Sequence, residues 1–101
     1  MTRHPAIEST TSLVASDLVL ASPLGGEVVL LEPEAGIYYS LNEVGALIWD
    51  RLQDPVTLHE LCEAVVAEFE VDRETCEPDV RRVLGELMSH SLAEVAQTPT
   101  T

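Results

Sequence analysis

Basic residues are scarce in this chain of 101 residues, which contains five lysine and arginine residues against 18 acidic ones. The formal net charge of −13 repels nucleic-acid phosphates and anionic lipid headgroups, which basic side chains bind. We therefore expect neither nucleic acid nor a membrane as a partner. The carboxylates are scattered along the chain, a distribution typical of a solvated acidic surface that keeps a small domain soluble.

Long apolar segments are missing as well. No run approaches the roughly 18 residues that span a membrane, and no basic start is followed by the apolar core of a secretion signal. These absences predict a cytoplasmic protein. Cysteine is scarce too, since the chain contains only Cys62 and Cys76. Both fit a reducing compartment as small buried side chains, but two cysteines do not exclude a single disulfide between them.

The signals of catalysis and metal binding are weak. One domain of this length has little room for an enclosed catalytic cavity. His59 and Cys62 have a usable ligand spacing on one predicted helix, but Cys76 lies beyond that helix and no fourth ligand follows. A Cys/His nucleophile would lack an orienting third group, and Gly25-Gly26 lacks the lysine of a phosphate loop. We predict no enzyme, no metal and no cofactor.

Turn residues divide the first half of the chain into three predicted strands. Residues 13–22 and 27–32 are rich in leucine and β-branched side chains, and the Pro-Leu-Gly-Gly turn between them predicts a hairpin. A second break at residues 33–36 precedes Ile37–Leu41. The simplest arrangement is an antiparallel meander with the third strand at an edge. Residues 1–12 and 96–101 lack periodicity and predict a flexible arm and tail around a domain at 13–95.

Three helices should follow. Asn42 is the predicted N-cap of the first helix, which Asp54-Pro55 ends. Thr57 and Glu60 form a capping box, so the second helix begins there. Apolar residues then recur at helical spacing in both helices.

The third helix has an apolar stripe from Val80 to Met88. It should begin near residues 75–77, because Pro78 is best accommodated in a first turn. Residues 92–95 predict one more short extended segment. The fold class is therefore α+β, a winged helix-turn-helix-like unit with a three-stranded antiparallel sheet followed by three helices.

A DNA-binding winged helix would carry a basic last helix. Here the charges on that helix nearly balance, since Arg81 and Arg82 stand against Glu77, Asp79 and Glu86. A DNA-binding regulator, whose retention on duplex DNA would weaken steeply with salt, therefore fits poorly but stays an alternative. A small acidic scaffold protein that holds two enzymes together is a second alternative.

The predicted sheet is apolar on both faces. Every residue of 28–31 and 37–39 is apolar or aromatic, so both alternating faces of these strands are apolar. Three helices cover one face of a small sheet but hardly both. We therefore expect exposed apolar surface near a free strand edge, where an extended peptide could dock as an additional strand.

Two segments carry a family resemblance, VVLLEPEAGIYYSLNEVGALIWDRL at residues 28–52 and TLHELCEAVVAEFEVDRETCEPDVRRVLGELMSHSLAEV at 57–95. They share a glycine turn, an aromatic strand, Leu-Asn, a Gly-x-x-Ile-Trp helix, a Thr-x-x-Glu-Leu helix and an acidic Asp-Val helix with the PqqD-like family. This family comprises recognition elements for ribosomally synthesised and post-translationally modified peptides (RiPPs). The chain most resembles the stand-alone B1 proteins of lasso-peptide gene clusters.

The resemblance implies non-catalytic binding of a precursor's leader segment, which adds as a strand to the third strand beside the third helix. It also implies a B2-type leader peptidase of the cysteine-protease kind as partner, and a cyclase. The peptide-binding residues that it implies are Val28, Leu30, Ile37, Tyr38, Tyr39, Ser40, Asp79, Arg82, Val83 and Glu86. Val29 and Leu31 are the alternative to Val28 and Leu30, since the sequence does not distinguish the two sheet faces.

Overall fold

The computed structural model describes residues 10–96, so most of the predicted arm and tail lies outside the described residues. The elements are β1 (Ser12–Ala15), β2 (Leu20–Leu24), β3 (Glu27–Glu32), β4 (Ile37–Leu41), α1 (Glu43–Arg51), β5 (Val56–Thr57), α2 (Leu58–Phe69), α3 (Arg73–Ser89) and β6 (Ala93–Val95). The strands form two antiparallel sheets, ordered β2-β3-β4 and β5-β1-β6. Within the described range, no helix is long and apolar enough to cross a membrane. The predicted α+β class is confirmed.

The predicted meander is present as the sheet β2-β3-β4, with β4 at one edge. Gly25 and Gly26 form the turn between β2 and β3 with φ of +57° and +91°, values that glycine adopts without steric cost. Pro23 and Leu24, which we assigned to this turn, belong to β2 instead. The chain thus reverses in two residues, which matches the commonest length of a hairpin connection.

The single strand predicted over residues 13–22 is wrong, because the chain leaves one sheet and enters another within it. β1 pairs with β5 and β6, whereas β2 pairs with β3. Residues 16–19 connect the two sheets. The backbone N–H of Ala15 donates to the carbonyl of Leu52 at 2.8 Å, and that of Ser16 to the carbonyl of Leu92 at 2.9 Å. Hydrogen bonds to residues that are distant in the sequence therefore hold the end of β1 in a different sheet from β2. The extended segment predicted at 92–95 is confirmed as β6.

The predicted helix starts at Asn42 and Thr57 are confirmed. The Asn42 side chain accepts a hydrogen bond from the backbone N–H of Gly45 at 2.9 Å. The Thr57 hydroxyl accepts from the N–H of Glu60 at 3.1 Å, and the Glu60 carboxylate accepts from the N–H of Thr57 at 2.9 Å. Each cap satisfies backbone donors that a helix leaves without partners, so α1 and α2 begin at defined residues.

The third helix begins earlier than predicted, at Arg73 rather than at residues 75–77. Pro78 consequently lies inside α3, in its second turn. The carbonyl of Asp72 closes the first turn by accepting from the N–H groups of Thr75 at 3.1 Å and Cys76 at 3.0 Å. These bonds start the helix before the proline, which removes only one backbone donor from the turn that follows.

A single apolar core lies between the helices and the inner side of β3 and β4. Its fully buried members come from all parts of the described chain, and no polar or charged residue of that part is buried with them. They include Leu13, Leu30, Ile48, Leu52, Leu58, Leu61, Val80, Leu84, Leu87 and Leu92. One continuous core therefore fixes α1 and α3 against the sheet that contains β4.

Candidate peptide-binding site

The strand β4 has one paired edge and one free edge. β3 pairs with all five residues of β4, from Glu32↔Ile37 to Val28↔Leu41. In the part of the chain that the structure describes, no strand pairs with the other edge of β4. Backbone donors and acceptors along such an edge are available to an added strand. The edge strand expected from the sequence is therefore confirmed.

The helix α3 is bonded to this strand through Tyr39. The Tyr39 hydroxyl donates to one carboxylate oxygen of Glu86, and Arg82 donates to the other oxygen at 3.2 Å. The ring of Tyr39 also packs on that of His90, with centroids 5.5 Å apart. Tyr39 thus bridges the last two turns of α3 and the middle of β4, and sets the separation of the helix from the strand.

A small cavity of about 90 Å³ lies between β4 and α3. Ser40 lines it from the strand, and Arg82, Val83 and Glu86 line it from the helix. Asn42 and Gly45 close it at the start of α1. The cavity therefore has a polar helix side and a strand side with an exposed backbone, a combination that suits an extended peptide.

Gly45 allows α1 to begin close against the end of β4. A Cβ atom at this position would lie 2.9 Å from the Cβ atom of Leu41, closer than real side chains approach. Leu41 itself is only 5% exposed and belongs to the core. Glycine at position 45 is therefore required for the close packing that ends the edge strand beside the cavity.

Two larger cavities continue the line beyond each end of this small one. One of about 330 Å³ is mainly apolar and lies between the three helices, with Val44, Phe69 and Asp79 in its lining. The other, of about 580 Å³, is acidic and includes Ile37 and His90. The lining residues advance along β4 and α1 from residue 37 to 44 while those of α3 decrease from 89 to 75. A groove therefore follows β4 and α3, which run in opposite directions.

The structure divides the sheet residues expected at the site into two sets. Val28 and Leu30 are 7% and 0% exposed and point into the core, where a ligand on the edge would not contact them. Because side chains alternate along a strand, Val29 and Leu31 point to the opposite face. The surface-facing pair is thus Val29 and Leu31, the alternative that the sequence left open.

The remaining expected residues lie near the groove in different ways. Tyr38 is 71% exposed and Ile37 and Ser40 are exposed, whereas Tyr39 is half-buried against α3. The structure brings Arg82, Val83 and Glu86 together at the small cavity, while Asp79 lines the apolar one. Val83 is only 8% exposed, so its side chain supports the groove more than it forms its surface.

Sequence reasoning did not assign Asn42, Gly45 and Val44 to the site. Arg82 and Glu86 are four residues apart, so they lie on one side of α3, where they form an ion pair. The glycine of the Gly-x-x-Ile-Trp motif was the available signal for Gly45, since a glycine inside a helix points to close packing.

The weak metal and nucleophile candidates lie in different surroundings. Cys62 and Cys76 are free and buried, and the Cys76 thiol lies 3.9 Å from the carbonyl oxygen of Cys62. Burial raises the pKa of the Cys62 thiol, and the charge of Arg73 opposes this shift only in part. His59 is exposed and lies 3.2 Å from the Glu63 carboxylate. No group of three His, Cys, Asp or Glu residues suited to a metal ion occurs in the described range.

Similarity to known proteins identifies the family of this chain. The model of the family "Coenzyme PQQ synthesis protein D (PqqD)" matches residues 27–93. A structure of TbiB1 in complex with the TbiA(beta) leader peptide is 36% identical to this chain and has a TM-score of 0.74. The similarity covers 84% of this chain and 99% of TbiB1. No curated protein matches the chain.

Two further structures are similar. A lasso peptide synthetase B1 complexed with its leader peptide is 26% identical, with 81% of this chain and 96% of that one covered and a TM-score of 0.70. The PqqD truncation of Methylobacterium extorquens PqqCD, a stand-alone RiPP recognition element, is 16% identical over 88% of this chain and 95% of its own, with a TM-score of 0.72. At that identity only the fold is shared. The family match and the identity to TbiB1 together establish that this chain belongs to the PqqD family.

Proposed function

We propose that this chain binds the leader segment of a ribosomally synthesised precursor peptide, which adds to β4 as a further antiparallel strand. The observation that carries the proposal is the free edge of β4, held beside α3 by the bond between Tyr39 and Glu86. Two similar structures, TbiB1 and a lasso peptide synthetase B1, were solved with leader peptides bound. A lasso-type precursor is therefore the favoured ligand.

In this proposal, the main chain of residues 37–40 supplies the pairing and thus most of the affinity. Each main-chain hydrogen bond contributes about 0.5–1.5 kcal/mol net, so several are needed to offset the ordering of a flexible peptide. Discrimination comes from side-chain contacts along the groove. Tyr38 flanks the strand on one face, Arg82 and Glu86 offer both charges, and the apolar cavity beside Asp79 accepts a bulky apolar side chain.

The role is that of a presenter without catalysis of its own. The thiols of Cys62 and Cys76 are buried, and no histidine lines the apolar cavity that Cys76 borders, so neither thiol is arranged as a nucleophile. Cleavage of the leader would then fall to a B2-type leader peptidase, and ring closure to a cyclase, while this chain holds the precursor. A cytoplasmic location fits this role, because precursor peptides are made there.

A titration with fluorescently labelled leader peptides tests the proposal. A series of leaders, each with one backbone nitrogen methylated, should lose affinity at every second position of the paired segment. Only alternate N–H groups of an added strand face its partner, so each effective methyl group should weaken binding about twofold to tenfold. The substitution Tyr38→Asp should weaken binding further, because it places a charge beside the paired strand.

The matched control is Leu20→Asp, which places the same charge on the exposed opposite edge strand, β2, of this sheet. It should leave leader affinity within about twofold of the unmodified chain, and circular dichroism should show both variants folded. A methylation profile without two-residue periodicity would show that the leader does not bind as a strand. Failure of the unmodified chain to bind any leader would refute the function itself.

A further inference from the structure

The exposed apolar side chains are concentrated on one sheet. Among the described residues six large hydrophobic side chains are exposed, and five of them lie in the β2-β3-β4 sheet or directly before it. These five are Leu18, Leu20, Leu24, Ile37 and Tyr38. The sixth, Val95, belongs to the other sheet. Such clustering marks an interaction surface, whereas single exposed hydrophobic residues do not.

The strand register places most of these side chains on one face. Leu20 pairs with Leu31, and Leu31 pairs with Tyr38, so the three form a row across the sheet. Leu24 and Val29 lie on the same side by alternation. We call this surface, formed by Leu20, Leu24, Val29, Leu31 and Tyr38, the outer face. The other side of the sheet carries the buried Val28, Leu30 and Leu41, which pack on the helices.

Leader binding would leave the outer face open. A strand added to β4 extends the sheet in its own plane and does not cover it. Neighbouring strands are about 4.8 Å apart, so β2 lies roughly 10 Å from β4 and about 15 Å from an added strand. Leu20 and Leu24, both on β2, are therefore remote from the groove between β4 and α3. Both surfaces can be occupied at the same time.

The charge around the outer face indicates what covers it. Residues 16–41, which include this sheet, contain four carboxylates and no lysine, arginine or histidine. The carboxylates are Asp17, Glu27, Glu32 and Glu34, and Glu27 lies opposite Leu24 on the outer face. A second copy of the chain would place the same charges against them, which opposes pairing. A patch that is apolar at its centre and rimmed with lysine and arginine would be complementary in both respects.

We infer that the outer face is the docking surface for the leader peptidase that cleaves the bound precursor, through such an apolar patch with a basic rim. This inference rests on the proposed function, since that function requires an enzyme to act on the presented leader. Docking on the sheet face would place the peptidase next to an edge-bound leader. The chain would then hold substrate and enzyme on adjoining surfaces that meet at Tyr38.

The experiment measures binding of the purified partner peptidase to the immobilised chain by biolayer interferometry. The double variant Leu20→Ser/Leu24→Ser should weaken peptidase binding at least tenfold and leave the affinity for a labelled leader unchanged. The matched control, Val95→Ser, removes an exposed apolar side chain from the other sheet and should change neither affinity. Binding to the unmodified chain should weaken as salt rises, because salt screens the complementary charges.

A second variant tests the same surface without removing an apolar side chain. Glu27→Lys reverses an exposed charge opposite Leu24 and should weaken peptidase binding several-fold at low salt, with a smaller loss at high salt. Unchanged peptidase affinity in both variants would overturn the inference even if leader binding is intact. If the unmodified chain does not bind a leader peptide, the proposed function is overturned instead.

Other occupants of the outer face predict different results. If the unmodified chain sediments as a dimer and the double variant as a monomer, a second copy covers the face and the inference is wrong. Deletion of residues 1–9 could raise the peptidase affinity of the unmodified chain but leave that of the double variant unchanged. In that case the peptidase binds the outer face in competition with residues 1–9. That result supports the inference. If the double variant changes only the dimerisation of the chain and leaves peptidase binding unchanged, the inference is contradicted.

Discussion

The two small sheets of this molecule differ in how their strands are covered. In the sheet β5-β1-β6, the central strand β1 pairs on both sides, and its Leu13 is fully buried. In the sheet β2-β3-β4, consecutive strands form a meander that has free edges and contains four of the six exposed large hydrophobic side chains of the described residues. Three short strands can thus join parts of a chain that are distant in sequence. A meander of consecutive strands can leave one strand edge and one sheet face exposed to a binding partner.

The two sheets also differ in the segments that they join within the 87 described residues, 10–96. The first sheet joins segments from the beginning, middle and end of the described chain. The second contributes Val28, Leu30 and Leu41 to the core and leaves Leu20, Leu24 and Tyr38 exposed on its other side. Substitutions in the two sheets should therefore affect different measurements.

The largest effect should come from truncation in the first sheet. Leu13→Ala removes a side chain with 0% exposure from the core, and we expect the free energy of unfolding to fall by about 2–5 kcal/mol. Leu20→Ala in β2 removes the same atoms from an exposed position and should change it by no more than about 0.5 kcal/mol. Urea denaturation of both variants measures the contrast. Equal losses would show that the two sheets contribute alike to stability.

The glycines of α1 and α3 provide a test of intermediate size. Gly45→Ala should lower the free energy of unfolding by about 1–3 kcal/mol, because its Cβ atom would collide with Leu41. Gly85→Ala lies in α3 with open space around it, and should raise stability by about 1 kcal/mol through helix propensity.

Leader affinity provides a second readout of the same pair. Gly45→Ala should weaken it, since the end of β4 must shift, and Gly85→Ala should not. If both substitutions stabilise the chain, the close approach of α1 to β4 is not required for the fold.

The smallest effect concerns the bond that joins the second sheet to α3. Tyr39→Phe removes the hydroxyl that donates to Glu86, which keeps Arg82 as a partner. We expect a loss of about 0.5–1.5 kcal/mol in the free energy of unfolding and a weaker leader complex, because the width of the groove is no longer fixed. For the unfolding measurement Tyr38→Phe is the control, with a phenol that is largely exposed. Indistinguishable variants would mean that the bridge does not position the groove.

Local features of the fold could be predicted from the sequence where neighbouring residues determine them. The capping box of Thr57 and Glu60 and the turn at Gly25-Gly26 each involve residues at most three apart. The pairing of β1 with β6 joins residues about 80 positions apart, and strands of two to four residues carry too little pattern to reveal their partners. The break in the predicted first strand was therefore beyond sequence reasoning.

The candidate site was predictable to a similar extent. Alternation along β3 established that two opposite faces exist, but burial under the helices decides which pair, Val28 and Leu30 or Val29 and Leu31, is internal. The bridge from Tyr39 to Glu86 spans 47 residues and depends on the packing of α3. The residues that shape the groove are thus brought together by tertiary packing, which periodicity does not describe.

The order of the elements along the chain has a consequence for how the molecule forms during translation. The hairpins of residues 20–41 involve local contacts and can form as soon as they emerge from the ribosome. The helix that flanks β4, and the strand that completes the β1 sheet, are translated after these hairpins. A nascent or prematurely terminated product would expose a sticky β-edge without its flanking helix, so quality control of such fragments should matter for this protein.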